Sequence, residues 1–148
     1  MDRRVAEGIS AVTALLWALL LGHDPILVQM VAASFPADPA LAVAVVEHES
    51  AFKPTSWVYE RDKQGKIIGT SWGLWRLFSK YHPQFRDNLA KHIQHGAGFL
   101  LGLILRYRRS GDAAVMFALS AYNTGDPWRG IRYAVRVLAI YRRLRRAR

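Results

Sequence analysis

"VVEHESAFKP", Val45–Pro54, closes an apolar run, "ALAVAVV" at 40–46, with two carboxylates, Glu47 and Glu49, around His48. Asp38 and Pro39 just upstream are a helix N-cap and a first-turn proline, so the run reads as a helix ending at Glu49. A helix C-terminus already carries partial negative charge, which disfavours a carboxylate there by roughly 0.3–1 kcal/mol. Two acids at that point therefore ask for another reason to exist.

The rest of the chain reads mostly as helices. One is expected over Arg4–Leu21, stopped by Gly22, and a second from the Asp24 cap and Pro25 to about Phe35. "WVYERDKQGKIIGTSW", 57–72, places "DKQG" between two β-prone runs and predicts a small hairpin. "SWGLWRLFSKYH" reads as helix or turn. "DNLAKHIQHGAGFLLGLILRYRRSG" reads as one long helix, apolar on nearly every side, with Gly98 and Gly102 open to a neighbouring backbone. A short helix through "DAAVMFALSAYNTG" and a last one over Ile131–Leu144 follow, the latter with an apolar stripe of Ile131, Val135 and Leu138. The fold class is mainly α, with a small β-hairpin lobe after the Glu49 helix.

At 148 residues, half of them apolar and five of them Trp, the chain suits one domain with a real core. It has no cysteine, hence no disulfide framework and no thiolate metal site. The net charge of +10 is concentrated: residues 129–148 hold eight Arg and no acid, leaving +2 elsewhere. The organisation expected is a hydrophobic N-terminal helix (1–22), a main domain (23–141) and a basic tail (142–148). "MDRRVAEGISAVTALLWALLLGHDP" supports three readings: an export signal or uncleaved anchor, a core helix, or a membrane-surface helix.

Four pieces then fall in order: "HESAF" at 48–52, "SWGLW" at 71–75, "HIQHG" at 92–96 and "SAYNTG" at 120–125. In this order and spacing the chain resembles the lytic transglycosylase and goose-type lysozyme superfamily, in particular the soluble lytic transglycosylase domain. That family reads Glu-Ser with an aromatic two residues later, Gly-Leu-Met-Gln, Asn-Ile-x-x-Gly and Ala-Tyr-Asn-x-Gly, and "YAVRVL" at 133–138 is similar to its closing helix. No single piece is specific; the ordered set carries the resemblance.

The resemblance implies a lysozyme-like α+β fold and cleavage of the MurNAc-GlcNAc β-1,4 bond of peptidoglycan, with no cofactor. Glu49 would be the catalytic acid/base and Glu47 a solvated or ion-paired bystander. Tyr122 would reach toward Glu49, with Asn123 and Gly125 shaping the turn that presents it. Ser50, Ser71, Trp72, Gly73, Leu74, Trp75, Arg76 and Asn123 would bind substrate, Trp72 or Trp75 being the first choices for stacking on sugar. Phe52 is expected in the core. Most glycosidases use two carboxylates. Glu60 and Asp62 are the only acids in the hairpin and read best as a charged turn, which favours a transglycosylase giving 1,6-anhydromuramoyl ends over a hydrolytic muramidase.

The sequence departs from the family in two places: Met-Gln is Trp75-Arg76, and the Asn is His92. Arg76 either meets a substrate carboxylate or points to solvent. His92 and His95 have metal-compatible spacing but no third ligand, and no metal is expected. The implied setting is the cell envelope or periplasm, or a phage virion. The N-terminal helix and Arg-rich tail are candidate contacts with membrane or anionic envelope. A rival reading is an inactive lysozyme-like protein binding membrane or nucleic acid, although no specific nucleic-acid motif accompanies the charge.

Overall fold

Helix α3 (Pro39–Ser50) is the axis of the molecule: every residue from Ala40 to Val46 is buried. An Ala/Val sequence permits this because small side chains let neighbouring helices pack on all sides. The computed structural model describes residues 9–147. It shows a mainly helical fold with a small antiparallel sheet. Around α3 stand α1 (Ala11–Leu21), α2 (Pro25–Ser34), α4 (Leu89–Arg106), α5 (Ala114–Thr124) and α6 (Ile131–Arg146), with a 3-10 segment at Arg108–Ala113 between α4 and α5.

The helix-start signals hold with one exchange of partner. Asp24 caps α2 through a 2.8 Å bond from the Ile26 N–H. Asp38 precedes Pro39 but makes no side-chain cap; its carboxylate instead accepts from the Tyr141 hydroxyl of α6 at 2.6 Å. Helix α3 ends without glycine, in the left-handed residues Ala51 (φ 48°) and Phe52 (φ 57°), and Phe52 is buried in the core.

The hairpin is present as β1 (Trp57–Arg61) and β2 (Ile67–Trp72), in register Val58↔Ser71 and Tyr59↔Thr70, with a bulge between Glu60 and Arg61. Asp62 closes its turn by accepting from the Gln64 and Lys66 N–H groups at 2.9 Å. "SWGLWRLFSKYH" is not helical: it ends β2, turns, and adds a third strand, β3 (Leu77–Phe78), paired to β2.

The apolar segment Ala11–Leu21 packs as a helix, burying Ala14, Trp17 and Ala18. The Trp17 indole N–H donates to the Leu144 carbonyl at 3.0 Å, which satisfies its polar edge inside the core. Among the described residues no helix is long and apolar enough to cross a membrane. The start expected at Arg4 and the basic opening residues lie outside the described residues. At the other end, 142–146 do not form a separate tail but continue α6. The inward stripe of α6 is Tyr133, Ala134, Val137 and Leu144, and Val135, expected inward, is half exposed. Arg and small apolar residues alternate along α6, so two faces compete, and the Tyr133 contact to α3 selects one.

Gly98 and Gly102 admit no neighbour; both face open space. The close approach is at Gly96, where an added Cβ would lie 2.2 Å from the Trp75 indole. Trp75 is fully buried, so its ring cannot yield easily. Gly96→Ala is expected to destabilise the fold by about 3 kcal/mol through overpacking. Gly98→Ala in the same helix should instead be neutral or stabilise by up to about 1 kcal/mol. Denaturant unfolding of the pair reads both; equal effects would contradict the seating of Trp75 on Gly96.

Candidate active site

Glu49 occupies the last turn of α3, where the helix opens onto a cleft of about 660 Å³ between the sheet, α4 and α5. Its wall is aromatic and aliphatic at Val58, Ile68, Phe78, Tyr81, Phe99 and Tyr122, and charged at Glu49, Glu60, Arg61 and Arg76. Glu49 keeps a partial opening to this space, but protein surrounds most of its carboxyl. Burial raises its pKa from 4.5 to about 7, against the Tyr133 hydrogen bond and the Arg76 charge, which lower it, and with Glu60, which raises it further. The carboxyl terminus of the helix acts in the same upward direction. A carboxyl group titrating near neutrality can both give and take a proton.

The tyrosine on Glu49 is not the expected one. Tyr133 of α6 donates to Glu49 Oε1 at 2.6 Å. Tyr122 lines the cleft, but its hydroxyl donates to the Trp75 carbonyl at 2.5 Å, while its ring stacks on Tyr133 with centroids 6.3 Å apart. Tyr122 thus buttresses the residue that holds the acid. His48 also packs edge-on against Tyr133, 4.9 Å between centroids.

Five of the expected residues meet at the cleft: Glu49, Ser71, Arg76, Tyr122 and Asn123. Five do not line it. Ser50, the last residue of α3, turns back into its own helix, donating to the Val46 carbonyl at 3.2 Å. Gly73, Leu74 and Trp75 are buried. Trp72 lies under the Arg86 guanidinium, 4.6 Å from its ring centroid. The Gly-Leu-Trp segment supports the cleft from behind: an added Cβ on Gly73 would strike the His92 imidazole, and His92 Nε2 accepts from the Trp75 N–H at 3.2 Å. Burial keeps that ring's pKa below the usual value, so the neutral form suits this acceptor role. The two departures from the family pattern, Trp75 and His92, therefore contact each other and each fills the space above a glycine.

Glu60 is not part of a charged turn. The pleat of β1 sends Val58 and Glu60 to the cleft side, and Ser71 hydrogen-bonds the Glu60 carboxylate across the hairpin. Asp62 does hold the turn. The Arg76 guanidinium lies in the cleft, donating to the Ser56 hydroxyl at 3.1 and 2.7 Å. Glu47 hydrogen-bonds the His23 imidazole at 2.5 Å. Beside the cleft, His82 and His95 hydrogen-bond each other at 3.0 Å. Among the described residues no three His, Asp or Glu side chains converge to hold a metal.

No protein-family model matches the chain, and neither a curated protein nor a solved structure is significantly similar to it.

A folded pKa of about 7 against an ordinary 4.5 means the native state binds the Glu49 proton more tightly. The contribution of this group to stability is then full below pH 4.5 and is lost as pH rises through about 7. The loss is at most about 3 kcal/mol. Glu49→Gln should match the wild type in acid and exceed it in stability above neutrality. A difference between the two that does not vary with pH would contradict the buried acid. Tyr133→Phe removes a bond that favours the carboxylate, so carboxyl ¹³C NMR should find Glu49 titrating higher still than in the wild type.

Proposed function

We propose that this chain is a peptidoglycan-cleaving lytic transglycosylase with a lysozyme-like fold. The observation that carries the reading is Glu49: a largely buried carboxyl titrating at about 7, at a helix end, in a cleft of about 660 Å³. Of the other motifs of the resemblance, "SWGLW" gives Ser71 and "SAYNTG" gives Ala121–Gly125 to the same cleft, while "HIQHG" packs behind it against Trp75. The hairpin after the acid-bearing helix and the helical remainder are compatible with that family's architecture.

In this reading protonated Glu49 gives its proton to the glycosidic oxygen as the bond from that oxygen to the muramoyl C1 breaks. Positive charge develops on the ring, and the Glu49 and Glu60 carboxylates on the cleft wall stabilise it. The muramoyl C6 hydroxyl then loses its proton to Glu49 and closes on C1. The product is a 1,6-anhydro ring, no water is consumed, and Glu49 ends protonated as it began. Tyr133 holds one carboxyl oxygen through both transfers. Arg76, its guanidinium anchored only to the Ser56 hydroxyl among the described residues, faces the lactyl or stem-peptide carboxylate that distinguishes this glycan from a neutral one. The place for such an activity is the cell wall, reached from the envelope or from a phage virion.

A specific observation favours a second reading, a hydrolytic muramidase: Glu60 lies in the same cleft, as the second carboxylate of a hydrolase would. Purified wild type, Glu49→Gln and Glu60→Gln incubated with peptidoglycan sacculi separate the two. For the transglycosylase, mass analysis of the released muropeptides shows anhydro ends, lighter by one water, from wild type and Glu60→Gln. Glu49→Gln falls by at least about a hundredfold. Reducing ends that vanish with Glu60→Gln establish the muramidase. No release by wild type overturns both.

A further inference from the structure

Helix α1 is apolar on both sides. Its inner stripe, Ala14, Trp17 and Ala18, is in the core. Its outer stripe, Val12, Leu15, Leu16, Leu19 and Leu20, is open to solvent, with Val12 67 % and Leu19 69 % exposed. These positions follow the i, i+3, i+4, i+7 spacing of a single helix face. Ile26, 70 % exposed at the start of α2, follows closely in sequence. Single exposed leucines are ordinary, but a whole face of them, with no charged residue from Ile9 to Gly22, marks a contact surface.

The end of α6 meets this helix at Trp17. Leu144, whose carbonyl receives the Trp17 indole, stands between Arg143 and Arg145. Arg142, Arg143, Arg145 and Arg146 are exposed. Among the described residues Arg142, Arg143 and Arg146 make no hydrogen bond or ion pair, whereas Arg145 donates to Tyr141. Three acids of the described residues are already engaged: Asp24 by its cap, Asp38 by Tyr141 and Glu47 by His23. An aliphatic face and arginines without an ion-pair partner among the described residues are thus carried by two helices joined through the Trp17–Leu144 bond.

We propose that the outer face of α1, together with the arginines ending α6, docks the protein on an anionic lipid surface. The chemistry selects this occupant over two others. A second copy docked through the same face would bring two arginine clusters together on chains that each carry +10. A protein partner would be met by aromatic and shape-specific anchors, whereas this face is Val and Leu alone, side chains that are scarce among interface hot spots. Acyl chains accept such a face without shape matching, and phosphate headgroups meet the arginines. Eleven residues give a helix of about 16 Å, which lies along a bilayer surface rather than across its core of about 30 Å. In this arrangement the folded domain occupies the side of α1 that water would face in a free amphipathic peptide. The proposal uses no residue of the cleft and stands whatever reaction occurs there.

Flotation of the full chain with vesicles tests it. Wild type should float with phosphatidylcholine vesicles containing phosphatidylglycerol and stay behind with phosphatidylcholine alone. Leu15→Gln/Leu19→Gln should lower partitioning at least about tenfold. Arg142→Gln/Arg143→Gln/Arg146→Gln should cost about fivefold per arginine on the anionic vesicles only. Circular dichroism melting checks that each variant folds; if the double leucine variant does not, Val12→Gln reads the same face. Wild type that fails to float overturns the proposal. So does flotation indifferent to the leucine substitutions. Dimers in sedimentation velocity that Leu15→Gln/Leu19→Gln dissolves, without vesicle binding, would assign the face to a second copy instead.

Discussion

The Tyr122 hydroxyl bonded to the Trp75 carbonyl is the joint on which the candidate site depends. Trp75 is immobile because its indole is seated on Gly96, and its backbone N–H is held by His92, whose ring in turn covers Gly73. Tyr122 passes that fixed position to Tyr133 by stacking, and Tyr133 passes it to Glu49 through its hydroxyl. Sheet, α4, α5, α6 and α3 are thereby joined in one chain of contacts ending on one carboxyl oxygen. A carboxyl that must exchange protons with a bound ligand gains from this, since its orientation is set before the ligand arrives.

The carboxyl at the end of that chain is in tension with its surroundings. Burial and the helix terminus disfavour its charge; Tyr133 and Arg76 favour it. The balance falls near neutrality, and moving any one of these contributors moves it. The Glu60 carboxylate adds to the upward pressure while Ser71 holds it across the hairpin. The question posed by a helix that ends in carboxylates therefore has two answers: Glu47 hydrogen-bonds the His23 imidazole, and burial lets Glu49 hold its proton up to about pH 7.

Much of this was legible in the residues. Pro25, Pro39, the Asp24 cap and the "DKQG" turn locate elements because their chemistry is local. What stayed hidden depends on how elements rotate against one another. Tyr122 and Tyr133 are both tyrosines on helices leading to Glu49, and only the packing of α6 on α3 decides which hydroxyl arrives; the signal available was Tyr133 itself, in "YAVRVL". In "WVYER" the aromatic set Trp57 and Tyr59 is half exposed, and Glu60 turns in. Strand alternation identifies two faces without saying which one meets the protein. Trp75 and His92 read as losses at two separate positions because their mutual contact spans seventeen residues.

The Trp17 bond to Leu144 joins residues 127 apart. Asp38, just before α3, and Glu49, in its last turn, likewise find their hydroxyl partners in α6, at Tyr141 and Tyr133. During synthesis α1 to α5 leave the ribosome before the helix that completes their packing exists, and α3 waits with one of its long faces uncovered. Productive folding of this chain is thus held back until α6 has emerged, and until then the nascent polypeptide offers chaperones an Ala/Val surface that the finished protein conceals.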